Sequence, residues 1–251
     1  MFAILFGFVL ASRLAGGAMA QETSPMAQRL SAEKVGGVEP GSYSAGDKVN
    51  FSIDPSGDKF LLRFDGNPEV FVLTADRVAL GGRVLKYDTG ALALRISVWG
   101  GMTLYTDGAP DGMPATRTGD FASPPRGPVS PSELETALND EAAHLTYVQQ
   151  MHLRFSTGEL SGGDAARTEA FETLINAQAG IERMVASPAG RQAFTRRIDS
   201  VRIVEGSKPG LALSGRTLLV HFVRSEFETG RLSSRAVTQE LGKLLSVNEP
   251  G

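Results

Sequence analysis

The 251-residue sequence predicts an α+β protein: an antiparallel β-sheet, either a meander or a small barrel, followed by a mainly helical half with a small β-hairpin. Three observations predict it. Apolar residues recur with a period of two over residues 48–106, the spacing at which a strand sends alternate side chains to one face. Residues 107–131 hold Pro110, Pro114, Pro124, Pro125, Pro128 and Pro131, which break regular structure. Residues 132–248 place apolar side chains at helical spacing behind serine caps.

In chain order, residues 1–20 read as a signal peptide. The apolar run 2–11 is followed by Arg13 and by Ala18-x-Ala20, whose small side chains fit a signal peptidase groove and predict cleavage before Gln21. That run is about half of the roughly 20 residues a membrane span needs. No later segment is long and apolar enough to span a bilayer, and no cysteine near the cleavage point offers a lipid anchor. The processed chain is expected to be periplasmic or secreted, with no transmembrane anchor.

Residues 21–47 are polar, carry Gly36-Gly37 and Pro40-Gly41, and read as a flexible lead-in. In the β region, Phe60, Leu62 and Phe64 alternate with Leu61 and Arg63, and Leu92, Leu94, Ile96 and Val98 alternate with smaller or polar residues. Asp65-Gly66-Asn67-Pro68, Gly81-Gly82, Asp88-Thr89-Gly90 and Gly100-Gly101 supply the turns, giving five or six short strands. Residues 107–131 are expected to be a linker or long loop.

Ser130-Pro131-Ser132-Glu133 combines an N-cap serine, proline at the first helical position and the glutamate of a capping box. Leu134, Leu138, Leu145, Val148 and Phe155 mark the stripe of the helix that follows. A second helix is predicted over about residues 164–186, a third behind Ser187-Pro188 and a last one behind Ser233. Two apolar runs, 201–204 and 217–223, flank Pro209-Gly210 and read as the hairpin.

Composition narrows the function. Removing Arg13 with the leader leaves 24 of the 25 Lys and Arg against 28 Asp and Glu, a formal charge of −4, which offers no field for nucleic acid. The absence of cysteine excludes disulfides, thiolate catalysis and cysteine-ligated metals. With three histidines, no metal and no cofactor are expected.

No phosphate loop, nucleophile elbow or His-Glu-x-x-His motif is present. At 100° per residue from Leu134, His152 projects at the same angle and Glu141 about 20° away, so both fall on the apolar stripe. A polar side chain there must find a partner. About 16 Å of axis separates the two, too far for one site on one helix. Glu141 and His144 are i,i+3 and are spaced to share a ligand. Glu141, His144 and His152 are therefore the candidate polar site. Their structural alternative is satisfaction by backbone or by Arg183, Arg196 or Arg197. Trp99 and Tyr105, beside Gly100-Gly101, are candidates for a shallow ligand groove, with a bulge and core aromatics as the alternative.

At Tyr87-Asp88-Thr89-Gly90, at Val98-Trp99-Gly100-Gly101-Met102-Thr103-Leu104-Tyr105 and at Asn139-Asp140-Glu141-Ala142-Ala143-His144, the chain resembles an uncharacterised family of exported alphaproteobacterial proteins, a domain of unknown function. The resemblance implies export and brings no activity or site residue with it. The expectation is an exported, non-enzymatic envelope-associated or binding protein, its partner an envelope protein or a small ligand. A carboxylate- and histidine-dependent hydrolase and a subunit of an envelope assembly are the alternatives.

Overall fold

A computed structural model describes residues 37–46, 48–78, 81–121, 127–225 and 229–246. The leader and the first part of the lead-in, to residue 36, lie outside the described residues. The fold is mixed α+β: a closed antiparallel barrel, then helices and a small sheet.

The barrel strands are β1 (Gly41–Ala45), β2 (Val49–Ser56), β3 (Lys59–Phe64), β4 (Val70–Arg77), β5 (Arg83–Lys86), β6 (Leu92–Ile96), β7 (Met102–Thr106) and β8 (Ala109–Gly119). Each pairs with the next, and β8 returns to β1 with Ser42 opposite Gly119. Phe51, Ile53, Leu62, Leu73, Leu85, Leu94, Ile96 and Leu104 fill the interior, each at most 1% exposed. Eight strands make a barrel just wide enough for its own side chains to fill. Stacked and tilted rings run from Tyr43 through Phe51, Phe64 and Phe71 to Tyr87, with centroids 5.4–6.2 Å apart.

The barrel extends past both ends of the span expected for it. β1 lies in the stretch read as lead-in. Gly41, Tyr43 and Ala45 are buried while Ser42 and Ser44 are half-buried, an alternation in which Tyr43 is the one large side chain among small ones. β8 lies in the stretch read as a proline-rich linker. Pro110 sits beside the β7–β8 turn, and Pro114 lies just past Ala45↔Ala115, the last β1–β8 pair. On that side no strand residue remains to receive the amide hydrogen that Pro114 lacks, so the ladder loses nothing.

Hairpins of an up-and-down barrel open alternately at its two ends. The β1–β2, β3–β4, β5–β6 and β7–β8 connections share one end. The β2–β3, β4–β5 and β6–β7 connections share the other, together with the start of β1 and the finish of β8.

The second half contains α1 (Pro131–Gln149), β9 (Arg154–Thr157), α2 (Gly163–Val185), α3 (Pro188–Arg197), β10 (Ser200–Glu205), β11 (Gly210–Ser214), β12 (Thr217–Phe222) and α4 (Ser234–Leu245). The serine caps hold: Ser130 and Glu133 close a capping box, Ser187 Oγ accepts from Gly190 N–H, and Ser233 Oγ accepts from Ala236 N–H. The strands form a sheet in the order β11-β12-β10-β9. This corrects the expected hairpin. Its two predicted arms, in β10 and β12, run parallel, with Val201 opposite Leu218. The hairpin itself is β11–β12, turning at Gly215 (φ +60°) rather than at Pro209-Gly210.

α2 crosses α4 closely because Gly180 has no side chain. A Cβ at that position would meet Val237 Cγ1 at 2.5 Å and the Ser234 carbonyl oxygen at 2.8 Å. Neither is the free end of a flexible side chain, so Gly180→Ala must push α4 away. A loss of about 2 kcal/mol is expected in denaturant unfolding; an unchanged midpoint would show that the crossing tolerates a methyl group.

Candidate functional site

The polar cluster read from the sequence is rearranged by where α1 stops. The helix ends at Gln149; Gln150 takes a left-handed conformation (φ 50°), and Met151 N–H closes back on Leu145 O at 3.3 Å. His152 therefore lies beyond the helix, exposed between buried Met151 and Leu153. The helical projection that put His152 on the apolar stripe fails because the chain turns extended there. Phe155, read as the end of the same stripe, belongs to β9.

Glu141 and His144 remain neighbours on α1. His144 Nε2 lies 2.8 Å from Glu182 Oε1 on α2. Glu141 is half-buried, and burial raises its pKa; the His144 charge opposes this, while Glu182 and Asp140 add to it. Glu141 lines a groove of about 520 Å³ between α1 and α2, over Phe171 and Ile175. Of the arginines weighed as partners, Arg183 pairs with Asp107 and Arg197 donates to Leu244 O. Among the described residues, no three His, Asp or Glu side chains are placed to hold a metal ion.

A denser set of charges joins the two halves, and no sequence motif announced it. Three connections at one end of the barrel present Glu69, Asp88 and Asp107. Asp88 accepts from Ser233 N–H at 2.8 Å and Ser233 Oγ at 2.6 Å; Glu69 accepts from Ser234 N–H at 2.7 Å and Ser234 Oγ at 2.6 Å. Two barrel carboxylates thus take up the first amides of α4, where the helix dipole also favours negative charge. Asp107 receives Arg183 at 2.6 Å and Arg235 at 2.7 Å, and the Arg235 guanidinium lies 4.4 Å above the Tyr87 ring.

Burial raises the Glu69 pKa, more than the Ser234 hydrogen bonds and Arg183 lower it. Burial also works to raise that of Asp107, but the Arg183 hydrogen bond and the charges of Arg235 and Arg183 outweigh it and hold the carboxyl below its usual range. Behind this seam Arg231 is buried against Glu169 at 3.0 Å and Glu172 at 3.6 Å, beside a cavity of about 140 Å³ that Val70, Val72 and Asn176 also line. Asp88 sits in a segment read as a turn and Glu69 directly follows one, so only the long-range pairing reveals their role.

The other end of the barrel presents a different set of side chains. Trp99, expected in a groove or in the core, is 91% exposed at the tip of the β6–β7 turn. That turn is held by Ser97 N–H to Gly101 O at 2.8 Å, Gly100 N–H to Ser97 O at 3.0 Å and Gly101 N–H to Ser97 Oγ at 2.9 Å. Gly100 supplies the positive φ (+84°) that closes it. Tyr105 is half-buried near the far end of β7, about 13 Å along the strand from the turn, so the two aromatics do not share a groove. Beside the Trp99 turn, Arg77 and Arg83 face each other across β4 and β5, and Arg83 is opposite Ile96 of β6. Arg95, one residue earlier on β6, is exposed on the opposite, outer face of that strand. None of these three arginines has an ion-pair partner among the described residues.

A family model for a domain of unknown function, DUF4908, matches residues 25–241. The chain belongs to that family. The DUF4908 match spans both the barrel and the helical half, so the two form the family's unit together. No curated protein and no solved structure matches the sequence. Among the described residues no helix is long and apolar enough to cross a membrane.

Proposed function

We propose that this DUF4908 protein is exported, periplasmic or secreted, and acts without catalysis as an envelope-associated binding protein that works through the Trp99 end of its barrel. The observation that carries this reading is Trp99, a large apolar side chain held rigidly in solvent by a turn that has no need of it for packing. Turn tips on a rigid scaffold are where binding residues concentrate. The form of the leader and the resemblance to exported alphaproteobacterial proteins support export. By contrast, the charges at the other end of the barrel are engaged in joining it to the helices.

The test is fractionation combined with a photo-crosslinking side chain at position 99 and, as a control, at Tyr147, which is 88% exposed on α1. A processed form in the periplasmic or extracellular fraction, with adducts from position 99 and none from position 147, is expected. An unprocessed cytoplasmic protein, or equal labelling from both positions, sinks the reading.

A second reading, a hydrolase built on carboxylates and histidine, draws on the contact between His144 and Glu182 with Glu141 beside it. It requires hydrolysis of ester or glycoside substrates that His144→Ala abolishes while the fold survives. Activity unaffected by that change removes it.

A further inference from the structure

We infer that the Trp99 end of the barrel docks on an anionic membrane surface, with Trp99 among the lipid headgroups and Arg77 and Arg83, with Arg95 on the outer face of β6, against their phosphates. This rests on the reading of that end as the binding surface, and it names the partner.

Tryptophan favours the boundary between water and lipid, where its ring is sheltered and its N–H stays hydrated. The β6–β7 turn already holds Trp99 outward, so seating it orders little new chain. Guanidinium groups match phosphate oxygens in geometry and charge. The three arginines stand on β4, β5 and β6, neighbouring strands that lead into the Trp99 turn or the connection beside it.

The charge here is local: the whole chain is acidic, at −3, while three carboxylates at this end are engaged. Asp58 faces Lys59 at 3.3 Å, Asp76 faces Lys86 at 2.7 Å and Asp120 faces Arg117 at 2.5 Å. Among the described residues, the helical half is fastened to the opposite end, through Glu69, Asp88 and Asp107. A protein partner would need an apolar core within about 800 Å² on each side. One projecting ring among arginines supplies less than that, and a headgroup layer asks for no more.

Trp99 is the only tryptophan in the chain, so its emission reports on this site alone. Purified protein is titrated with vesicles of phosphatidylcholine and, separately, of phosphatidylcholine mixed with phosphatidylglycerol. A blue shift is expected only with the anionic vesicles, reversed by high salt. Arg77→Gln with Arg83→Gln should weaken partitioning about 25-fold, roughly fivefold for each arginine. Emission that stays at its water-exposed position overturns the proposal, as does an equal shift with both vesicle types. A protein adduct from position 99 with no shift on vesicles leaves the binding reading standing and removes the membrane. Neither adduct nor shift removes both.

Discussion

Arg231→Met should be the most damaging single change in the helical half, costing about 3–5 kcal/mol. The Arg231 side chain is 2% exposed, and the carboxylates it faces, Glu169 and Glu172, are 11% and 17% exposed. Taking away the cation leaves two carboxylates of α2 in a poorly solvated place without the charge that holds them there. The loss lies in the stranded acids more than in the missing attraction, and this distinguishes the mechanism from simple loss of packing. Adding Glu169→Gln and Glu172→Gln to Arg231→Met should restore most of the stability in denaturant unfolding. If the triple variant is no better than the single one, Arg231 acts through packing of its stem.

Glu69→Ala should cost about 3 kcal/mol, a fall of roughly 6–12 °C in the unfolding midpoint. Ser234 is fully buried, and both its N–H and its hydroxyl donate to Glu69. Alanine leaves two buried donors with nothing to meet, whereas Glu69→Gln keeps one acceptor and should cost less. The pH response separates this carboxyl from its neighbour. The folded pKa of Glu69 lies above the ordinary 4.5, so the folded state holds its proton more tightly than the unfolded chain does. Its contribution to stability is complete below that ordinary value and is lost as pH rises through the raised one.

Asp107 has the opposite sign: its contribution is present above the ordinary 3.8 and is lost as pH falls through the lowered value. Stability of Glu69→Gln measured from acid to neutral pH should lack the decline on the higher side and keep the decline on the acid side. A profile parallel to that of the parent protein would remove Glu69 from the account.

What could be read from the sequence was local. Ser130, Ser187 and Ser233 identified helix starts because a cap acts within four residues, and the period-two runs identified β3 and β6. The stop of α1 was hidden because Gln150 adopts a positive φ without the glycine that usually marks one, and His152 was misplaced with it. β1 and β8 were hidden because serine, glycine and proline strands become legible only once barrel closure gives them neighbours. The seam was hidden for a similar reason: Asp88 meets Ser233 across 145 residues, and Glu69 meets Ser234 across 165. Trp99 stood out from the start, but its surroundings became visible only when three hairpins were brought to one end.

Closure of the barrel also sets the order in which the molecule can fold. Neighbouring strands meet through short connections, but the seam between β1 and β8, where Arg117 reaches the Pro40 carbonyl, brings together residues 77 positions apart. Joining ends that distant costs about 4 kcal/mol of chain entropy before any contact returns it. The hairpins can therefore assemble early while the final seam waits for residue 119. Until then β1 and β8 each show an unpaired edge, the geometry that recruits strands from other molecules. Any chain cut off before Gly119 keeps those two edges for its whole lifetime, and aggregation rather than a smaller folded unit is its natural fate.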